Sequence, residues 1–379
     1  MKKHQKHTAL VRPLLGQFGR REFALLGAPC GIIQDLAQQI ITRFAAAQNI
    51  AYADADHTSF DNPRQTAPLA AGAFAAFTDH NVFERFDYAE KSDKFLRNRR
   101  FAEADWVLIN GNHFAGSRQI VLLHPKKAES LHRKREQLTD VALILTTEGA
   151  ETVPAWLRAD LAERAVPTFS LSDTEKIFVF LEQEFAANRP PLYGLVLAGG
   201  KSRRMGHDKG AIDYHGKPQR TYVYEMLTQM CEKTYLSGRP EQTLEWQDDF
   251  AVLPDTFTGL GPFGAILSAF RKNPNAAWLC VACDLPLLTQ NALRSLIDAR
   301  DTRRIATAFH NAETDFPEPL ITIWEPKSYS ALLQFLSQGY SCPRKVLINS
   351  AVKIIKPQDE KVLTNVNTEA ERARLQDKP

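Results

Sequence analysis

Residues 195–209 read Leu-Val-Leu-Ala-Gly-Gly-Lys-Ser-Arg-Arg-Met-Gly-His-Asp-Lys, and their reading decides the fold class of the C-terminal half. An apolar strand runs into a glycine turn and then into a basic loop. A chain that leaves a strand through Gly199 and Gly200 brings backbone N–H groups close to a ligand, because no side chain stands in the way. Arg203, Arg204 and Lys209 add charge suited to a triphosphate. The stretch therefore predicts a strand, a phosphate-holding loop and a nucleotide site.

The same alternation extends on both sides. In the C-terminal half, strands are expected at Tyr193–Leu197, Thr234–Leu236, Ala277–Ala282 and Ile305–Phe309, with helices at Arg220–Met230, Ala265–Phe270 and Asn291–Ile297. In the N-terminal half, strands are expected at Glu22–Leu26, Ile50–Ala53, Trp106–Asn110, Gln119–Leu123 and Val141–Leu145. Helices there are expected at Ile33–Gln48, Ala67–Thr78, Ser92–Ala104 and Lys127–Gln137. Strands alternating with helices predict an α/β protein, here two doubly wound, Rossmann-like or P-loop-like domains in tandem. Pro190 and Pro191 end a helix over Thr174–Ala187, which sets the expected domains at residues 1–188 and 192–379.

Composition narrows the function. The chain has 379 residues, 44% of them apolar and 24% charged, as an ordinary globular protein with two cores requires. Its formal net charge is only +3, with both signs spread along the chain, so no nucleic-acid partner is expected. No apolar run approaches the ~20 residues of a membrane span, so no membrane partner is expected. The basic Met1-Lys-Lys-His-Gln-Lys-His start reads as a frayed tail rather than a targeting signal. Five scattered cysteines point to a reducing, cytoplasmic setting. The C-x-x-C formed by Cys280 and Cys283 lies within an apolar strand and reads as two small buried side chains.

Further features follow the opening loop in order. Leu253-Pro-Asp255 ends a short apolar stretch with a carboxylate. Gly259-Leu-Gly-Pro-Phe-Gly264 is a glycine loop leading into a helix, where free N–H groups can meet an anion or a polar ring. Cys280-Val-Ala-Cys-Asp284-Leu-Pro286 delivers an aspartate at the C-terminal edge of a strand, where open α/β sheets bind ligands. Attack on an α-phosphorus loads negative charge on phosphate oxygens and expels pyrophosphate. A Mg²⁺ ion held by Asp284 would neutralise part of that charge, and Arg204 and Lys209 would stabilise charge that grows in the transition state. Such transfer is mostly positioning and electrostatics, so no side-chain nucleophile is needed.

At this point a resemblance becomes specific. Leu197-Ala-Gly-Gly, Arg204-Met-Gly and Asp-Lys209 resemble the opening motif of the molybdenum cofactor guanylyltransferases, the MobA family. Gly261-Pro262, Cys283-Asp284-Leu-Pro286, Glu318-Pro-Leu320 and Asn365-Val-Asn367-Thr368 fall in that family's order. The resemblance covers about residues 192–372 and implies a Rossmann-like enzyme that binds GTP and Mg²⁺. Such an enzyme transfers GMP to the terminal phosphate of molybdopterin or Mo-molybdopterin and releases pyrophosphate. Carried over by position, Leu197, Ala198 and Gly199 would meet the guanine, Gly200 would help bind the nucleotide, and Lys209 would meet the phosphates. Ser237, Asp255 and Gly261 would help bind the nucleotide, Asp284 would hold Mg²⁺, and Asn365 and Asn367 would lie on the pterin side.

The chain also departs from the family. Ser237 stands where an asparagine is usual, and Gly261-Pro-Phe-Gly-Ala replaces Gly-Pro-Leu-Ala-Gly. These changes keep two alternatives open. One is a cytidylyltransferase or sugar-phosphate nucleotidyltransferase of the same fold; the other is a non-catalytic molybdenum cofactor carrier. The Gly199-Gly200 pair tilts the reading toward guanine, because the cytidylyltransferases more often carry Leu-Ala-Ala-Gly.

The N-terminal half starts as a strand, glycine loop and helix, Phe23-Ala-Leu-Leu-Gly27-Ala-Pro-Cys-Gly31-Ile-Ile. A working P-loop has Gly-Lys-Ser/Thr at the helix start, whereas Ile32 and Ile33 follow Gly31 here, so NTP hydrolysis is not expected. Asp54, Asp56, His57 and His113 read as polar loop residues at the open end of a sheet rather than as a metal site. The order of elements resembles the MobB family, the GTP-binding adaptors of molybdopterin guanine dinucleotide synthesis. That resemblance implies a degenerate adaptor domain that docks the cofactor, a cofactor-loading protein or a molybdoenzyme apoprotein.

Overall fold

In a computed structural model, which describes residues 18–55, 67–162, 164–199, 209–366 and 371, the chain divides into two units, Met1–Ala186 and Ala187–Pro379. Among the described residues no helix is long and apolar enough to cross a membrane.

In the N-terminal unit the strands are β1 (Glu22–Leu26), β2 (Ile50–Ala53), β3 (Ala75–Asp79), β4 (Glu84–Tyr88), β5 (Trp106–Asn110), β6 (Arg118–Leu123), β7 (Val141–Thr146) and β8 (Thr168–Ser170). The helices are α1 (Cys30–Phe44), α2 (Ala67–Ala70), α3 (Lys94–Arg100), α4 (Ala128–Arg133), α5 (Ala155–Leu161) and α6 (Thr174–Ala187). Six strands form a parallel sheet in the order β2-β5-β1-β6-β7-β8. All residues of β1 and β5 are buried, as expected of strands covered on both faces. Phe23 stacks on Trp106, and Trp106 packs against Phe185 of α6.

The helix expected over Ala67–Thr78 is a correction. Only α2 forms, and Gly72 at φ 103° ends it. The following residues form β3, which pairs with β4 so that Phe77 faces Phe86. Cross-strand ring contact outweighs the helix propensity of the alanines. The helix expected over Lys127–Gln137 likewise shrinks to α4, flanked by short 3₁₀ turns.

In the C-terminal unit the strands are β9 (Leu192–Leu197), β10 (Lys233–Gly238), β11 (Val252–Pro254), β12 (Ala277–Ala282), β13 (Ala306–Asn311), β14 (Phe316–Trp324) and β15 (Val352–Ile355). The helices are α7 (Gln219–Thr228), α8 (Pro240–Trp246), α9 (Pro262–Lys272), α10 (Gln290–Asp298), α11 (Ser328–Ser337) and α12 (Pro343–Ile348). The seven strands are ordered β11-β10-β9-β12-β14-β13-β15. The first four run parallel, while β14 is antiparallel to both β12 and β13. Pro317 and Pro319 conceal β14 in the sequence, and Pro317 sits opposite a bulge at His310, where its missing N–H is tolerated. From β9 the chain first builds outward through β10 and β11, then returns to add β12 on the other side. The ends of β9 and β12 therefore flank a switch point.

Just after the linker, Arg300 ties the chain down. Its guanidinium reaches Glu325 by two bonds, Nε to Oε1 at 2.6 Å and Nη2 to Oε2 at 2.9 Å, and donates to the Pro190 carbonyl at 3.0 Å. Both side chains are almost fully buried. Removing one partner strands a buried charge, so Glu325→Ala should destabilise the C-terminal unit by about 3–5 kcal/mol. Urea unfolding monitored by tryptophan fluorescence checks this; a loss below 1 kcal/mol would contradict it.

Candidate nucleotide site

The C-terminal edge of β9, β10 and β12 gathers most of the described candidate residues. Leu197 and Ala198 are buried, with their side chains in the core, so only their backbone is available at the edge. The Ala198 N–H donates to the Ser237 carbonyl at 3.0 Å, and the Cys283 N–H donates to the Leu197 carbonyl at 3.4 Å. Gly199 is exposed, and a Cβ there would lie 3.0 Å from Gly238 Cα. The turn leaves β9 hard against the end of β10, which is why a side chain is disfavoured. Gly200 and Arg204 lie outside the described residues. Lys209 opens a short 3₁₀ turn, Lys209–Ala211, and its side chain also lies outside the described residues.

Ser237 and Asp255 form one unit. Ser237 is buried and its Oγ donates to Asp255 Oδ1 at 2.7 Å. The Asp255 N–H donates to the Gly238 carbonyl at 2.9 Å, which seats the carboxylate beside the end of β10. Burial pushes the Asp255 carboxyl up to about 6, against the opposing hydrogen bond from Ser237.

Gly261, at φ 58°, precedes α9. Ser268 Oγ on that helix accepts from the Thr256 and Phe257 N–H groups at 2.8 and 3.2 Å and donates to the Gly264 carbonyl at 2.7 Å. A Cβ at Gly264 would meet the Phe257 oxygen at 2.1 Å, so the loop folds onto its helix only with glycine there. Asp284 follows β12, and its carbonyl accepts from the Val366 N–H at 2.9 Å. That bond brings the Asn365 segment beside Asp284. The Asn365 Oδ1 is buried without a hydrogen bond. Asn367 lies outside the described residues.

Several positioning residues escape sequence reasoning. Gln219, fully buried at the start of α7, donates from Nε2 to the Leu285 carbonyl at 3.1 Å. His215 stacks on Tyr222 and its Nε2 lies 2.9 Å from the Pro286 carbonyl. Together they staple the segment after Lys209 to the Asp284–Pro286 turn. Glu318, three residues before Ile321, stands at the same sheet edge as Asp284, three residues after Val281, since Val281 and Ile321 are paired. It is buried, accepts from Asn311 Nδ2 at 3.2 Å, and lies 3.5 Å from Arg344 Nη2. The contacts of Gln219, His215 and Arg344 span dozens of residues, which no local pattern signals; only the Glu318-Pro-Leu320 motif offered a hint.

In the N-terminal unit the loop after β1 is closed by its own neighbour. Asn112, just beyond β5, accepts from the Gly27 N–H at 3.4 Å and donates to the Ala28 carbonyl at 2.8 Å. Lys134 Nζ donates to the Asn112 carbonyl at 2.6 Å, and burial, with Lys127 nearby, holds this ammonium below its usual range. Asp54 accepts from Tyr52 at 2.7 Å and Gln34 at 3.0 Å. Burial works to raise its carboxyl, but these bonds and one from the Ala55 N–H outweigh it and hold the group below the usual range. His113 Nε2 lies 3.7 Å from Asp54 and 3.3 Å from Cys30 Sγ. Asp56 and His57 lie outside the described residues. Among the described residues no group of three or more His, Cys, Asp or Glu side chains is placed to hold a metal ion.

A glycine turn, a half-buried carboxylate and a strand-end aspartate thus lie along one sheet edge beside a switch point, where open α/β sheets receive ligands. Residues 194–362 match the family model of the MobA-like NTP transferase domain. The chain is 37% identical over 185 residues to the molybdenum cofactor biosynthesis bifunctional protein of Synechocystis sp., across 48% of this chain and 52% of that protein. It thus spans about half the length of that relative. It is 27% identical over 189 residues to the molybdenum cofactor guanylyltransferase of Shewanella putrefaciens, across 48% of this chain and 94% of that one. It is also similar to the solved molybdopterin-guanine dinucleotide biosynthesis protein A of Archaeoglobus fulgidus, at 21% identity and TM-score 0.42, across 48% of this chain and 95% of that one.

The Asp255 environment has a stability consequence. Its folded value of about 6 lies above the unfolded carboxyl value, so the folded state holds the proton more tightly. Stability then falls as pH rises from about 4 to 6 and stays lower above that. Asp255→Asn should gain about 2–3 kcal/mol at neutral pH and nothing near pH 4. Urea midpoints at the two pH values test the sign, and a gain that persists in acid would refute the assignment.

Proposed function

We propose that the C-terminal unit transfers GMP from GTP to the terminal phosphate of molybdopterin or Mo-molybdopterin and releases pyrophosphate. The observation that carries this reading is the convergence of Gly199, the Ser237–Asp255 pair and Asp284 at one sheet edge within a MobA-like NTP transferase domain. An acceptor phosphate oxygen forms a bond to the α-phosphorus of GTP, and the bond from that phosphorus to pyrophosphate breaks. The backbone at Leu197, Ala198 and Gly199 meets the guanine, and Gly200 and the loop at Gly261 offer further N–H groups to the nucleotide. Asp255, ionised above pH 6, accepts from nucleotide donors, and Ser237 acts through it by fixing its orientation. Lys209 and Arg204 meet phosphate charge that grows in the transition state. Asn365 and Asn367 face the pterin, a role that suits the buried, unpaired Asn365 oxygen.

Asp284 is the residue that would hold Mg²⁺, which would neutralise phosphate charge when bound. The fit is reasonable: Mg²⁺ needs only one or two carboxylates when phosphates and waters fill the remaining positions. Asp284, a carboxylate just past the end of β12, suits that habit.

The N-terminal unit is a degenerate MobB-like adaptor in this reading. Its parallel order around β1 and its glycine loop support that ancestry, and Asn112 on the loop together with the absent lysine argues against hydrolysis. It docks the cofactor, a cofactor-loading protein or a molybdoenzyme apoprotein, which raises the local concentration of the partner site. A cytoplasmic setting fits the five scattered cysteines.

Pyrophosphate release measured with GTP, CTP, ATP and UTP, in the presence of Mg²⁺ and molybdopterin, tests the reading. Release is expected from GTP alone and only with acceptor. Release from CTP moves the chain to the cytidylyltransferase reading, and no release from a folded protein favours a carrier. Asp284→Ala should lower turnover by about 100-fold or more with unchanged circular dichroism. GTP affinity should weaken as pH drops through 6, and Asp255→Asn should flatten that profile.

A further inference from the structure

In the N-terminal unit, the loop after β1 presents a sulfur among groups that no other part of this unit uses. Cys30 is the first residue of the 15-residue α1, whose N-terminus has no side-chain cap. Its side chain is half-buried, and a Cβ on the neighbouring, exposed Gly31 would meet nothing within 4 Å, so the approach beside the sulfur is open. His113 Nε2 lies 3.3 Å from Cys30 Sγ and 3.7 Å from Asp54 Oδ1. Asn112 Nδ2 donates toward Sγ at 3.8 Å, and Lys134 Nζ is held on the carbonyls of Gly111 and Asn112 at 3.4 and 2.6 Å. One further group has no partner. Asn110 is fully buried; its Oδ1 accepts from the Asn112 N–H at 3.1 Å, and its Nδ2 makes no hydrogen bond. That donor stands beside Tyr52 and Asp54, among the side chains that surround Cys30 and His113.

We propose that Cys30 is a modification site, a thiol that a small peroxide oxidises to a sulfenic acid. His113 takes the thiol proton on Nε2, which the 3.3 Å contact allows. Both charges that result are met. The imidazolium faces Asp54, and the thiolate faces the start of α1, the Asn112 amide and the Lys134 ammonium. The sulfur attacks one peroxide oxygen, so an S–O bond forms and the O–O bond breaks. The other oxygen leaves as hydroxide and takes the proton back from His113 as water. The sulfur gives up two electrons and the peroxide gains them. The new oxygen is the acceptor that Asn110 Nδ2 lacks, and a buried donor left unpaired is costly, so the oxidised state is held. Cys30 is the only cysteine before residue 187, so no second thiol of this unit can turn the product into a disulfide. The other cysteines have different settings: Cys280 and Cys283 are buried, and burial pushes the Cys231 thiol up to about 12.

Hydrogen peroxide added to the reduced full chain in the presence of dimedone, with adducts at each cysteine followed by mass spectrometry, tests this. Cys342, the exposed thiol, serves as the reference within the same sample. Cys30 is expected to gain the adduct about 10-fold faster than Cys342 or more, although it is the less exposed of the two. His113→Gln, with unchanged circular dichroism, should slow Cys30 by about 10-fold and leave Cys342 as it was. A Cys30 rate no higher than that of Cys342 overturns the proposal, and that comparison in the unaltered chain does not depend on how a variant folds. A rate that His113→Gln leaves unchanged also overturns it, as does fast alkylation of Cys30 by iodoacetamide without any dimedone adduct.

Discussion

A parallel strand with neighbours on both sides cannot shift without breaking two ladders at once. That constraint on β9 underlies everything at the candidate site. All six residues of Leu192–Leu197 are buried, and the strand is bonded to β10 on one side and β12 on the other. The register fixes Leu197 opposite Ser237 and Ala282, so the three chain exits leave the sheet at one level. Gly199 and Asp284 leave from these strand ends, and Asp255 from β11 beside β10, so they share one sheet edge by topology rather than by any local attraction between them. The side chains that refine the geometry, Gln219, His215 and Ser268, each bond to a backbone group of a neighbouring turn and hold loops against an edge that already exists.

The N-terminal unit shows the same architecture turned to another end. Its loop after β1 sits where an open parallel sheet receives ligands, yet Asn112 takes up both a donor and an acceptor of that loop. Lys134 arrives from beyond α4 and is bound to backbone carbonyls rather than projecting from the loop itself. The result is a stiff, polar rim, in which Asp54, Tyr52 and Gln34 satisfy one another.

Buried parallel strands were the most legible part of the sequence. The spans Glu22–Leu26, Trp106–Asn110 and Ala277–Ala282 could be drawn from apolar runs alone, because such strands need no partner pattern to be visible. Strand β14 was hidden by two prolines that a bulge and an antiparallel neighbour accommodate. The β3–β4 hairpin was hidden by alanines, whose helix preference is local while the Phe77–Phe86 contact is not. At the site, the glycine turn and the strand-end carboxylate could be read because backbone access and charge dictate residue type. Gln219 and Arg344 could not, since nothing marks a polar residue as buried until its distant partner is known.

The Asp284–Val366 bond has a consequence for how the protein is made. The segment that closes on Asp284 leaves the ribosome about 80 residues later, which at ~5–20 residues per second is roughly 4–16 s. Throughout that interval the central strand β9 already exists, but β14, which flanks β12, and then β15 are still being added. The N-terminal sheet, whose last strand ends at Ser170, needs none of this and can be complete first. Nascent chains would thus carry a finished first unit while the candidate edge of the second remains open.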